Sequence, residues 1–245
     1  MSENKQFCDY STSQWYNRWK RRTVHPNLRI DYFHTIDAKE KAYWLGFLYA
    51  DGFLTEQHGS IEIRLELSKD DEDSVDRFCG DLGLNNDKKE YRRHRNLERE
   101  CVEIRFACRR MSDDLIRHGL KFRKSKIIEY PKLSSRDLEL AFLLGYYDGD
   151  GKHNTTEISS GNRRFLEQVA DRFDLPSKIR LQTGEKEIYG RKIKGTVHRM
   201  YLGAQLFNEM MKNYENSMPR KRWFPCNPKE KARRRCWQQN STQHQ

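Results

Sequence analysis

AYWLGFLYADG, Ala42 to Gly52, and AFLLGYYDGDG, Ala141 to Gly151, align without gaps at an offset of 150 − 51 = 99 residues, and Ala, Leu, Gly, Asp and Gly recur at matching places. A chain of 245 residues has room for one large domain or two smaller ones in tandem. An internal repeat selects the second arrangement. A second echo follows each copy: Phe122-Arg123-Lys124-Ser125, with Lys124 at 124 − 51 = 73 residues past the motif aspartate, and Pro219-Arg220-Lys221-Arg222, with Lys221 at 221 − 150 = 71.

Between the echoes both halves read in the same order. Ser60 to Ser68, SIEIRLELS, alternates strictly and places Ile61, Ile63, Leu65 and Leu67 on one face of a half-buried strand. Asp70 to Leu84 carries an acidic first turn and Val75, Phe78, Cys79 and Leu82 at helical spacing, closed at Gly83. Strands follow at Lys88 to Arg95 and Cys101 to Arg109, then a helix at Met111 to Leu120. The second half repeats this with a strand at Glu157 to Ser160, a helix at Asn162 to Phe173, strands at Lys178 to Thr183 and Thr196 to Leu202, and a helix at Ala204 to Asn213. The expected class is α+β, an αββαββα unit used twice. The expected boundaries are a basic arm at 1–40, repeats at 41–131 and 132–228, and a basic tail at 229–245. The arm reads either as a truncated helix-turn-helix or as a surface segment packed on the first repeat. The tail, with Arg233-Arg234-Arg235, reads as a solvated end.

Gly46 and Ala50 lie four residues apart on one motif helix, as do Gly145 and Gly149 on the other. Each helix therefore offers a stripe where a second backbone can approach closely. If the two helices pack on these stripes, Asp51 and Asp150 reach the same end of the interface, and Gly52 and Gly151 release the chain into a strand. Two adjacent carboxylates repel unless a cation neutralises them, and hard oxygen ligands favour Mg²⁺. An isolated Asp-Gly would be read as a turn after a buried helix; two in register argue for a paired site.

Lys and Arg number 47 against 36 Asp and Glu, for a net charge of +11, which favours a polyanionic partner without specifying one. The six cysteines show neither a Cys-x-x-Cys pair nor regular spacing, against a zinc knuckle or a disulfide framework and in favour of a reducing compartment. No apolar run approaches the roughly 18 residues of a membrane helix, and the first ten residues lack the apolar core of a signal peptide. The expectation is an intracellular protein, in the cytoplasm or an organellar matrix, without a membrane partner. An EF-hand beginning at Asp148 fails at Lys152, His153 and Ser159, and a P-loop ending at Gly151-Lys152 fails at Tyr146 and His153.

WLGFLYADG and LLGYYDGDG resemble the nine-residue signature of the LAGLIDADG homing endonucleases, and the lead-in YFHTIDAKEKAYWLGFLYADG is similar too. The resemblance covers roughly residues 41 to 225. It implies a single chain with two motifs, a pseudo-twofold saddle whose sheets follow the DNA major groove, and paired helices over the central minor groove. It makes Asp51 and Asp150 metal-binding acids, the carbonyls of Ala50 and Gly149 further ligands, and Lys124 and Lys221 the basic residues that polarise water or stabilise the transition state. Asp148 stands where a small or apolar residue would be unremarkable. The implied reaction is Mg²⁺-dependent hydrolysis of one phosphodiester per strand, leaving short 3′ overhangs, with two or three metal sites shared between the acids. The implied partner is a long, pseudo-palindromic double-stranded DNA site bound by a monomer, with the gene carried by a mobile intron or standing free.

Strand parity assigns the base-reading positions, since a two-stranded ribbon fits the major groove. Glu62, Arg64 and Glu66 face away from the Ile and Leu side; Glu103 and Arg105 oppose Val102 and Ile104; Lys178, Arg180 and Gln182 oppose Ile179 and Leu181. The alternative is an RNA maturase or a non-cleaving DNA binder on the same scaffold. A binder needs the basic surface but not the paired acids.

Overall fold

Residues 42–49 carry apolar or aromatic side chains all round the helix, leaving no polar stripe to face water, so this helix must be enclosed on every side. In the computed structural model, which describes residues 25–57, 60–84, 89–93, 100–188 and 191–225, it is α1, Lys39–Ala50, and every residue from Ala42 to Tyr49 is buried. The first repeat continues with β1 (Gly52–Gln57), β2 (Ser60–Ser68), a 3-10 turn at Lys69–Asp71, α2 (Glu72–Leu82), β3 (Lys89–Arg93), β4 (Glu100–Ala107) and α3 (Arg109–Arg117). The second has α4 (Arg136–Asp150), β5 (Glu157–Ser160), α5 (Arg163–Arg172), β6 (Arg180–Ile188), β7 (Arg191–Tyr201) and α6 (Gly203–Asn213). Each lysine echo forms a 3-10 turn, Lys124–Lys126 and Pro219–Lys221.

Both sheets are antiparallel, ordered β1-β2-β4-β3 and β5-β7-β6, and the class is α+β. On β2 and β4 the apolar parity holds: Ile63, Leu65, Val102 and Ile104 are buried. They join the motif helices in one continuous core. Gly83, at φ 73, ends α2 in the left-handed conformation that favours glycine.

The expected αββαββα unit is complete in the first repeat and needs correction in the second. There the strand after the motif shrinks to one bridge, Gly151↔Ile158. Residues 152–156 turn instead, because the Tyr147 hydroxyl donates toward the carbonyls of Lys152 (3.1 Å) and Thr155 (2.9 Å) and Asn154 is left-handed at φ 56. The β6–β7 hairpin is also longer than alternation implied. Its outer part pairs in register from Gly184↔Gly195 to Ile188↔Arg191, so backbone hydrogen bonding holds strands that no apolar alternation marks.

Of the basic arm, residues 25–40 are described, and those ahead of α1 pack on the first repeat. Phe33 is fully buried, the Arg29 amide donates to the Leu82 carbonyl (2.8 Å), and the His118 ring meets the Phe33 carbonyl (2.9 Å). Residues 1–24 and the tail with Arg233, Arg234 and Arg235 lie outside the described residues. Among the described residues no helix is long and apolar enough to cross a membrane, and the buried Cys79 and Cys108 are free thiols.

α1 and α4 cross along their glycines. A side chain added at Gly46 would run into the Phe142 carbonyl, and one added at Gly145 into the Tyr43 carbonyl. The two clashes are related by the same 99-residue offset as the motifs. Both obstacles are backbone, which cannot rotate away. Gly46→Ala or Gly145→Ala is therefore expected to destabilise by about 3 kcal/mol or more, read as a loss in urea midpoint, whereas Gly80→Ala, whose added methyl meets nothing within 4 Å, is expected to be neutral or stabilising.

Candidate functional site

Each motif ends its helix at an acid. Asp51 caps α1, its amide donating to the Phe47 carbonyl (2.9 Å), and Asp150 is the last residue of α4. Because the helices cross at their glycines, both acids reach one end of the interface. The Asp51 carboxylate leans over the neighbouring helix closely enough that a Cβ at Gly149 would lie 3.0 Å from its Oδ2 and collide with the Ala50 methyl. Gly149 is therefore required by the approach of the acids as well as by the helices.

The two lysines arrive symmetrically. Lys124 is buried and its ammonium donates to the carbonyls of Leu48 (3.0 Å) and Ala50. Lys221, also buried, donates to the carbonyls of Gly149 and Gly151, both at 3.0 Å. Helix C-termini expose unsatisfied carbonyls carrying partial negative charge, and an ammonium there is favourable. The structure thus gathers Asp51, Asp150, Lys124, Lys221 and the carbonyls of Ala50 and Gly149 in one place.

Burial sets the electrostatics. It raises the Asp51 carboxyl to about 6, reinforced by the neighbouring Asp150 charge and opposed by Lys124 and Lys221. Asp150 is raised by burial and drawn back by the same two lysines and by the Tyr146 hydroxyl. Burial lowers Lys124 to about 8 and also lowers Lys221. Phe47 occupies the place of Tyr146 in the first motif, so the two acids have unequal surroundings. The Tyr146 hydroxyl donates to the Ser159 carbonyl (2.8 Å), while the Ser159 hydroxyl donates to the Asp150 carbonyl (3.0 Å).

Asp148 belongs to the scaffold. It is fully enclosed and accepts from the Tyr43 hydroxyl (2.8 Å) and the Met218 amide (2.7 Å), and burial raises it to about 6.

The expected reading positions divide. Arg180 and Gln182 are exposed on β6, and exposed Lys178 precedes that strand. Arg105, half-buried on β4, pairs with Glu90 at 3.0 Å. Glu62 and Glu103 require correction: they point away from the apolar face as expected but are buried, at 3% and 1% exposure. Glu103 takes the Arg64 guanidinium at 2.5 Å, and Glu66 lies 3.8 Å from the same group. Parity assigns a face, and it says nothing of what neighbouring long side chains cover on that face.

Arg199 is not among the expected reading positions, although the apolar Met200 and Leu202 of the strand expected at Thr196 to Leu202 put it on the opposite face by parity. It lines a recess of about 400 Å³ with Asp150, Lys152 and Glu157, and its guanidinium pairs with Glu157 at 3.1 Å. Gly52 pairs with Leu65 and Gly151 with Ile158, which makes Arg64 and Glu157 equivalent, and likewise Glu103 and Arg199. The repeats hold one ion pair with its sign reversed.

Residues 137–209 match the family model described as the LAGLIDADG-like domain. That match makes the second repeat similar to this domain over most of its length. The first lies outside the matched residues and is joined to the second by the shared motif, element order and offset. No curated protein matches the chain. Among solved structures it is similar to the homing endonuclease I-WcaI bound to its DNA recognition sequence, at 11% identity over 84% of this chain and 97% of that one, TM-score 0.49. It is also similar to I-DmoI in complex with DNA and Ca, at 14% over 79% and 96%, TM-score 0.36, and to the I-LtrWI LAGLIDADG homing endonuclease bound to target DNA, at 9% over 78% and 85%, TM-score 0.41.

The paired carboxylates give a signed pH dependence. Asp51 titrates higher folded than unfolded, so its contribution to stability is full below its ordinary value of 3.8 and is lost as pH rises through about 6. Asp51→Asn removes that loss. With chelator present, the variant is expected to exceed the parent in urea stability at pH 7.5 by on the order of 2 kcal/mol, with the gap closing toward pH 4; an unchanged gap across this range would contradict the assignment.

Proposed function

We propose that the chain is a site-specific endonuclease that hydrolyses one phosphodiester in each strand of a double-stranded DNA target. The supporting observation is the meeting of Asp51 and Asp150 at the end of the helix pair, each beside a lysine resting on the preceding carbonyl. Enclosing two carboxylates together costs stability, as the rise of Asp51 to about 6 records, and a binding protein draws no benefit from that cost.

The donor set fits a hard divalent cation such as Mg²⁺: two carboxylates already held together and partly stripped of water, with the Ala50 and Gly149 carbonyls alongside. Each carbonyl has two lone pairs, so one can accept a lysine while the other remains for a metal. Among the described residues no cluster of three His, Cys, Asp or Glu side chains forms, which leaves this pair and its carbonyls to carry the charge. When bound there, a divalent cation supplies Lewis acidity and a water of lowered pKa. Asp51 and Asp150 orient the site, and the Lys124 and Lys221 ammonium groups sit where negative charge develops on a scissile phosphate.

The net charge of +11 suits a phosphate backbone. The outer faces of β2, β4, β6 and β7 supply Arg64, Arg105, Arg180, Gln182 and Arg199 for groove contacts. The fused repeats favour a monomer on a long, pseudo-palindromic site, and the resemblance implies short 3′ overhangs.

Selection of cut duplexes from a randomised library with Mg²⁺ tests this reading, and recovery of bound but never cut sites by folded protein would favour the binder. On a selected site, Asp51→Asn and Asp150→Asn are expected to abolish double-strand cutting while preserving affinity. Lys124→Met and Lys221→Met are expected to slow single-turnover cutting roughly 10²-fold at unchanged affinity. Loss of binding without loss of rate would make the lysines simple phosphate anchors.

A further inference from the structure

Lys221 does not reach the site by the strength of its own repeat alone. It sits in the 3-10 turn Pro219–Lys221, after a segment held by the opposite repeat. The Arg77 guanidinium of α2 lies against the Tyr43 and Trp44 rings, at 5.4 and 5.1 Å, and donates to the Ser217 carbonyl (3.4 Å). One residue before Lys221, the Arg220 guanidinium makes a two-pronged pair with Asp71, at 2.8 Å (Nε to Oδ1) and 2.6 Å (Nη2 to Oδ2). Asp71 is 5% exposed and ends the 3-10 turn that follows β2. A buried carboxylate met by a planar fork fixes the direction as well as the distance of its partner.

The first repeat secures Lys124 differently. Arg123 is exposed and left-handed at φ 50. The lysine turn is held by the neutral Asn162 amide, donating to the Ile128 carbonyl (2.6 Å), and by Gly161, where any Cβ would strike the Ser125 carbonyl. Both lysine turns therefore lean on the opposite repeat: that of Lys221 through the forked, partly buried Arg220–Asp71 pair one residue away, that of Lys124 through Asn162 and, five residues on, an exposed single-contact pair between Arg164 and Glu129 (3.4 Å).

We propose that Arg220 is a positioning residue, anchored by Asp71 of the first repeat, that sets the Lys221 ammonium on the Gly149 carbonyl beside Asp150. The role in cutting rests on the endonuclease reading; the placement of Lys221 does not. The pair couples the end of β2, a strand of the first sheet, to the half of the active site built by the second motif. Loss of the pair should release Lys221 and leave Lys124 in place.

Two measurements on the full chain separate these statements. Brief acylation with an amine-reactive acetate ester, read residue by residue by mass spectrometry, is expected to label Lys221 roughly tenfold faster in Arg220→Gln and in Asp71→Asn than in the parent, with Lys124 unchanged. Strand-resolved single-turnover cutting is expected to slow roughly tenfold on one strand only, at unchanged DNA affinity. Arg220→Lys, which keeps the charge and loses the fork, should recover part of both effects. Unaltered Lys221 labelling, or equal slowing of both strands, overturns the proposal. If the parent cuts no duplex, the labelling still decides the placement of Lys221 and only the endonuclease reading falls.

Discussion

Backbone meets backbone where Gly46 faces the Phe142 carbonyl and Gly145 faces the Tyr43 carbonyl, and the geometry of the site depends on that contact. With any side chain between them the helices would stand further apart, and their C-terminal ends would no longer bring two carboxylates and the lysine-bound carbonyls together. The same crossing makes each helix the core of both repeats, since α1 and α4 are enclosed by the sheets and by each other. Stability and site geometry therefore draw on one set of residues, and the site cannot be loosened without loosening the fold.

The enclosure carries a polar cost that is met in part, since Asp148 Oδ1 and Arg77 Nε stay without a hydrogen-bond partner among the described residues. Asp148, inside the core, is answered by Tyr43 from the other motif helix and by the Met218 amide. Arg77 donates to the same tyrosine (3.3 Å) and to the Ser217 carbonyl. A chain of hydrogen bonds thus runs from the first repeat, through the helix pair, into the segment leading to Lys221. Such a network favours one arrangement because an alternative that left more of these buried groups unpaired would cost more.

Much of this was legible in the sequence for a physical reason: close helix packing demands small residues at fixed spacing, and duplication prints the demand twice. Asp51 and Asp150 meet where the small-residue stripes place them, and Lys124 and Lys221, which only the family resemblance put beside the acids, lie at the same place. What sequence could not convey was cover. Glu62 and Glu103 obey the strand parity and are still buried, and Glu103 lies under the Arg64 guanidinium. The outer half of the β6–β7 hairpin was invisible because backbone pairing alone maintains it, and the missing strand after the second motif because a tyrosine hydroxyl, five residues from Lys152, gathers the turn. The Arg220–Asp71 pair spans 149 residues, a separation at which no local pattern operates.

The sign-reversed ion pair, Arg64 with Glu103 in one repeat and Glu157 with Arg199 in the other, bears on why two copies share a polypeptide. Two identical subunits related by a rotation must present the same charge at the same distance from the axis, so each would meet its partner's half of a target with one unchanging pattern. Fusion lifts that obligation. Once the copies are covalently joined, an arginine and a glutamate can trade places in one half alone while the helices between them keep their common geometry, and the molecule can become lopsided at its surface without becoming lopsided at its centre.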